Sequence, residues 1–409
     1  MPKTNTINEE RIRHKENYSA GKVNVAGFIS FLMGFTQSVI IYVMSSYFKM
    51  ASGTDSVGLF YFLAYLVVMI VLFNFNRAVG IIGKSNAFYF SLLLKIIIIA
   101  ILMLCPISFW IVIPLMLYLI SSCLEWASFD VILETFSEDR RSGRIRGKHL
   151  MFLNAGFLFG PLMATRLIDH FDFSGVFIFI FIINSLILVI SLFAFRNVNH
   201  RFESRVSFFD LVKKVYARKN ILRIYYVSFI LEFFFAIMVV YCPIYLRDLG
   251  FSWDKIGIIF TFMLVPFVLL QYPMGLLADR KTGEKEAIII SIVIMGISSA
   301  AVYFISSGSF LVWSVVLFAT RIGAALIEIL RDSYFYKRID SYDVDLIHFF
   351  RTAMPAGYLA ATALATASLL FFPMKSVFVI AGIVVFSALL PAFFLLDNKS
   401  EKDILLEKK

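Results

Sequence analysis

Apolar runs of about 20 residues recur along this chain, separated by short charged or Gly/Pro-containing breaks. That length matches the hydrocarbon thickness of a bilayer at about 1.5 Å of helix per residue. Inside lipid, each helical run bonds its own backbone amides and carbonyls, so the repetition prescribes a bundle of crossing helices. Twelve runs are legible: 22–48, 56–76, 86–105, 108–136, 148–168, 173–195, 221–246, 256–277, 286–306, 310–336, 346–371 and 374–396. They are called spans 1 to 12 below. With 60% hydrophobic and 16% charged residues and a mean hydropathy of +0.84, the composition excludes a soluble globule. The expected fold class is an all-α integral membrane protein.

The distribution of Lys and Arg sets the orientation, because cytoplasmic loops collect these residues. If the N-terminus is placed inside, only Lys49, Arg166, Arg247, Lys255 and Lys375 fall on the outer side. Lys95, Arg321, Arg331 and Arg351 lie within spans, and the rest of the 38 basic residues face inward. Both termini are therefore expected in the cytoplasm, in a multi-pass inner-membrane protein. The net charge of +10 then reads as inner-face attraction to anionic lipid rather than nucleic-acid binding. The first 22 residues lack a signal-peptide core, so span 1 reads as an uncleaved anchor.

The longest break, 196–220, divides the chain into halves 1–195 and 221–396, with a tail at 397–409. Within the break, Phe208, Leu211, Val212 and Val215 recur at helical spacing while Lys213, Lys214, Arg218 and Lys219 take other faces. A short basic amphipathic helix on the inner membrane surface is expected, the alternative being a solvated linker. A six-plus-six layout suggests duplication. FDVILETF at the end of span 4 overlays IEILRDSY at the end of span 10, setting Asp130 and Glu134 over Glu328 and Asp332. The starts of spans 5 and 11 then pair Asn154 with Arg351 after one gap.

The stretch GLLADRKTGEK, from Gly275 to Lys285, resembles the G-x-x-x-D-R-K-x-G-x-K signature of the major facilitator superfamily, here in the loop between spans 8 and 9. PIYLRDLGFSWDKIGIIF and QYPMGLLAD before it are similar to that family's helices 7 and 8. EDRRSGRIRG followed by GFLFGP resembles its 4–5 loop and the G-x-x-x-G-P motif on helix 5, carried by Gly156, Gly160 and Pro161. The glycine pair that follows in the family pattern is Ala164-Thr165 here. The resemblance implies two pseudo-symmetric six-helix halves, a cavity lined by helices 1, 4, 7 and 10, and no cofactor. The helix 5 motif is commonest among exporters. The signature implies a gate in which Asp279, with Gly275 and Arg280, holds the cytoplasmic side closed against Arg331 or Arg338 and the start of span 5. Aligning ADRKTG with FNRAVG in the first half places Asn76 under Asp279, so this latch is expected to be one-sided.

Ionisable side chains within the bilayer must face a cavity or a partner. Lys95 and Glu125 lie about 14 and 16 Å from the inner ends of spans 3 and 4 and are expected to pair. Arg321, Glu328 and Asp332 fall on one face of span 10. Glu232, about 16 Å deep in span 7, is expected to pair with Arg321, and Arg351 with Glu328 or Asp332. The cavity-lining helices that the resemblance implies make Glu232 and Arg321 the central-site pair, to which Gln37 and Tyr42 of span 1 are expected to add hydrogen bonds. A structural salt bridge is the second reading of every pair.

No P-loop, HExxH, GxSxG or metal-ligand spacing is present, and Cys105, Cys123 and Cys242 form no CxxC or Cys/His pattern, so neither catalysis nor a metal site is expected. The expected function is secondary transport of a small molecule by alternating access, as a monomer. Proton-coupled export of an amphipathic solute comes first and proton-coupled uptake of a polar solute second. A non-transporting sensor, scramblase or assembly factor of the same fold is the rival class. Glu232 is the candidate proton-coupled carboxylate and Arg321 its partner.

Overall fold

A computed structural model describes residues 20–54, 56–135, 142–196, 208–278, 283–339 and 344–396. Among these the chain is helical, with no strand. Spans 1 to 4 form α1 (Ala20–Ser52), α2 (Gly58–Ile82), α3 (Lys84–Leu104) and α4 (Val112–Thr135). Spans 5 and 6 run through α5 (Ser142–Ala194), which breaks at Asp172, where φ 58 and ψ −169 are not helical. The linker holds α6 (Phe208–Ala217), as its spacing predicts. Span 7 comprises α7 (Lys219–Val240) and α8 (Cys242–Asp248), and span 8 comprises α9 (Trp253–Leu269) and α10 (Gln271–Leu277). Spans 9 and 10 are α11 (Lys285–Ala301) and α12 (Phe310–Tyr336). Span 11 joins α13 (Val344–Arg351) to α14 (Ala353–Leu369), and span 12 joins α15 (Ser376–Phe386) to α16 (Leu389–Phe393).

Among the described residues, nine helices are long and apolar enough to cross a membrane. One of them, Met151–Ala194, has 44 residues, about twice the length one crossing requires. Its two arms return on each other around Asp172. Phe173 and Phe177 pack on Tyr47 near the end of span 1, whereas Phe179 meets Phe35, farther back along that span. Prolines account for other interruptions, since each lacks an N–H and fixes its own φ. Pro243 stands in the first turn of α8, and Pro355 in the first turn of α14.

The packing has an internal two-fold pattern. Span 1 packs on span 5 as span 7 packs on span 11, span 3 on 4 as 9 on 10, and span 3 on 6 as 9 on 12. Between the halves, span 5 packs on 8 and span 11 on 2. Small residues permit the closest approaches. A Cβ at Gly156 would meet the backbone of Phe31 and Phe35 in span 1, and one at Gly357 the backbone of Glu232 and Phe233 in span 7.

The first-half alignment needs correction. FNRAVG is the last part of α2, not a loop, and the chain turns instead at Gly83, which has φ +96 and donates its N–H to the Val79 carbonyl. The corresponding turn in the second half is at Gly283, with φ +71 and its N–H on the Ala278 carbonyl. Gly83, rather than Gly80, is therefore the counterpart of Gly283. Both turns require φ values that glycine adopts readily.

Candidate functional site

A cavity of about 370 Å³ lies between the halves, within the size range of small-molecule sites. Spans 1, 2, 4, 5, 7, 8, 10 and 11 contribute to it, a wider set than the four expected. Gln37, Tyr42, Val239 and Leu264 line it, together with Asp130, His149, Ile347 and Arg351 at the ends of spans 4, 5 and 11. It thus extends from the middle of the bundle toward the face where span 1 begins. At the opposite face the halves meet. Lys49 Nζ binds Asp248 Oδ1 at 2.8 Å, Phe173 packs edge-on to Trp253, and Tyr42 packs on Phe260 at 5.0 Å between ring centroids. Gly58 and Gly257 bring backbone against Tyr241 and Thr165 of the other half, too close for any Cβ. The cavity therefore extends toward one face, and the halves are sealed together at the other.

The charges in this cavity form pairs other than those expected. Glu232 Oε1 accepts from Nη2 of Arg331 at 3.0 Å, not from Arg321. Arg331 also donates Nη1 to Ser228 Oγ at 2.6 Å and lies 3.5 Å from Asp332. The reason is helical register: Arg331 lies ten residues beyond Arg321 on α12, nearer the start of span 7, where Ser228 and Glu232 stand one turn apart. Arg321 is 2% exposed and has neither a salt bridge nor a hydrogen bond among the described residues. Its guanidinium lies 5.2 and 5.6 Å from the ring centroids of Phe234 and Phe235.

Arg351 also departs from the expectation. Its Nε lies 3.3 Å from Asp130 Oδ2 in the other half, not on Glu328 or Asp332. Glu328 instead ends a chain of amides: Asn154 Nδ2 donates to Gln271 Oε1 at 2.9 Å, and Gln271 Nε2 donates to Glu328 Oε2 at 2.7 Å. This chain crosses from span 5 to spans 8 and 10, and the sequence reading missed it. Its signal was Gln271, an amide at the end of a long apolar run.

Lys95 and Glu125 pair as expected, at 2.6 Å, with side chains 1% and 0% exposed. Neither residue lines the cavity, although Ser122, Cys123 and Trp126 of span 4 do. Gln37 and Tyr42 both line it, and Gln37 Oε1 is buried without a partner. The helix 5 glycines fit span 5 against span 1: a Cβ at Gly160 would overlap Ser38, whose Oγ donates to the Phe157 carbonyl at 2.6 Å. Asp279 and Arg280 lie outside the described residues, as does the Glu134 side chain. Gly275 faces Ile329 of span 10 at ordinary contact distance. Within the same motif, fully buried Glu284 accepts from Lys337 Nζ at 2.6 Å and Ser333 Oγ at 2.9 Å. This tie between the 8–9 turn and the end of span 10 was not expected. Arg338, one of the expected latch partners, donates to the Leu396 carbonyl.

A helical membrane bundle with internal two-fold packing, a cavity between its halves and charged groups facing that cavity has the architecture of secondary transporters built from internal repeats. The chain belongs to the major facilitator superfamily: the model of that family, described as Major Facilitator Superfamily, matches residues 23–327 and 247–409. Membership implies a multi-pass membrane protein that acts as a secondary transporter of small molecules. No curated protein matches the chain in sequence.

Proposed function

We propose that the protein is a proton-coupled exporter of a small amphipathic solute, working by alternating access. In this reading twelve helices cross the inner membrane with both termini in the cytoplasm. The halves 1–195 and 221–396 rock against each other, joined by the linker 196–220, whose helix α6 lies on the inner surface, and residues 397–409 form a cytoplasmic tail. Glu232 is the carboxylate that takes up and releases the proton, with Arg331 in the role first given to Arg321. The carrying observation is the Glu232–Arg331 pair, 3.0 Å across two helices and facing a cavity that extends toward one side of the bundle. An acid in that position exchanges protons with the cavity when the arginine shifts between it and Asp332, 3.5 Å away. Arg351–Asp130 and Asn154–Gln271–Glu328 join the halves at the face toward which the cavity extends and serve as gates that part and re-form.

Export is favoured over uptake by the Gly156/Gly160/Pro161 motif. A non-transporting role is disfavoured by the cavity, because a fold retained only as scaffold has no use for charges facing it. To test this reading, a deletion strain is profiled for metabolites and drugs that it retains or fails to take up. The compound found is then driven by an imposed proton gradient in proteoliposomes. Wild-type protein is expected to accumulate it against its gradient and Glu232→Gln only to equilibrate it. Gradient-driven accumulation by Glu232→Gln at the wild-type rate removes Glu232 from the mechanism.

A further inference from the structure

We propose that Arg321 is the anion-recognising residue of the cavity, and that the solute is an amphipathic organic monoanion whose acid group docks on this guanidinium. The inference rests on the transporter reading and names the substrate class for its site. Pairing within the cavity carries it. Arg331 is matched by Glu232 and Arg351 by Asp130, which leaves Arg321 as a lining cation with no acid among the described residues. It is 2% exposed, and its Nε and Nη1 have no hydrogen-bond partner. About 15 residues from the end of α12, it stands about 22 Å from that face, close to the middle of the hydrocarbon layer.

A permanent charge at this depth requires compensation. The rings of Phe234 and Phe235 offset part of the loss through their π faces but accept none of its N–H bonds. A planar guanidinium with open N–H groups fits a carboxylate, phosphate or sulfate group bidentately. Beside the polar groups already named, most of the remaining wall is apolar or aromatic, with Tyr65, Phe157, Phe267 and Val239 among its residues, and this part suits a hydrocarbon or aryl body. Glu328 lies seven residues farther along α12, about 10 Å from Arg321 along the axis, and already accepts from Gln271. A zwitterion with its amine on Glu328 is therefore the rival ligand, and a monoanion is the fit for the one lining cation left without an acid among the described residues.

The test uses matched probes on purified protein in nanodiscs, titrated by calorimetry against empty discs: 4-phenylbutyrate, its primary amide, 4-phenylbutylamine and the amino acid homophenylalanine. The carboxylate is expected to bind about ten-fold tighter than the amide or amine, about 1.4 kcal/mol. Arg321→Gln should abolish that preference while leaving the amide within about two-fold, and Arg321→Lys should retain part of it. If Arg321→Gln does not fold, the carboxylate-to-amide ratio in the wild type and Arg321→Lys decides alone. Tightest binding of the amine or amino acid, equal binding of carboxylate and amide, or no carboxylate binding overturns the inference. Gradient coupling is scored separately. A cation-preferring protein still coupled through Glu232 removes the anion assignment only, and an anion-preferring protein without coupling removes the proton mechanism only.

Discussion

Lys95 and Glu125 form the most deeply buried ion pair among the described residues, at 2.6 Å, with 1% and 0% side-chain exposure and Lys95 Nζ 5.3 Å from the Tyr118 ring centroid. Glu125 Oε1 has no partner, so the pair is held by a single contact. Removing one member leaves the other charged and dry, which in buried pairs costs about 3–5 kcal/mol. Replacing both with apolar residues of similar volume is typically neutral or stabilising by about 1–4 kcal/mol, because both desolvation penalties disappear. Lys95→Met and Glu125→Leu should therefore each destabilise the protein by several kcal/mol, and the double variant should recover most of the loss. The coupling free energy read from the cycle should exceed about 3 kcal/mol, at the upper end for interacting neighbours. Reversible unfolding in mixed micelles, by SDS titration or steric trapping, gives the four values. Because neither residue lines the cavity, the double variant should also retain transport. A double variant as unstable as the sum of its singles refutes the electrostatic account. A stable double variant without transport refutes the structural role.

Three further outcomes follow from the packing and the gates. Gly160→Val should prevent span 5 from seating on span 1, because even a Cβ overlaps Ser38, and should remove folded protein from the membrane as judged by detergent extraction and size-exclusion chromatography. Lys49→Gln breaks a cross-half pair whose side chains are 33% and 47% exposed, a pair worth at most about 1 kcal/mol in water. The variant should therefore raise thiol labelling of Ala51→Cys from the sealed face by less than about five-fold, and a larger rise would show that this pair dominates closure. Glu284→Leu strips a buried acceptor from Ser333 and Lys337 and should lower stability by about 1–3 kcal/mol in thermal unfolding, with Glu284→Gln recovering part of the loss through the Ser333 hydrogen bond.

Much of the fold was legible because the membrane imposes one backbone solution on each apolar run. The helix in the linker and the pairing of Lys95 with Glu125 followed from spacing and depth, and the cavity positions of Gln37 and Tyr42 from the cavity-lining helices that the family resemblance implies. Depth along an axis, however, says nothing of which face one helix turns toward another. That is why Arg321 was expected on Glu232 when the span 7–10 register brings Arg331 there, and why Arg351 was assigned to its own half instead of to Asp130. The Asn154–Gln271–Glu328 chain was missed for a related reason: neutral amides carry no charge bookkeeping, and their partners appear only when three helices are placed together. The first-half counterpart of the signature turn was misjudged because an alignment of side-chain types does not report φ, and φ is what identifies Gly83.

In the proposed mechanism, two halves exchange access to one cavity under the control of a proton on Glu232. The most direct measurement is pulsed electron–electron resonance in liposomes on two spin-label pairs: Met50 with Leu249 across the sealed face, and Met151 with Tyr272 across the face toward which the cavity extends, all four exposed. Alternating access predicts that lowering the pH redistributes both pairs in opposite senses, one distance lengthening as the other shortens, and that Glu232→Gln abolishes the pH response. A single distance for each pair at every pH, or a pH response unchanged in Glu232→Gln, contradicts it.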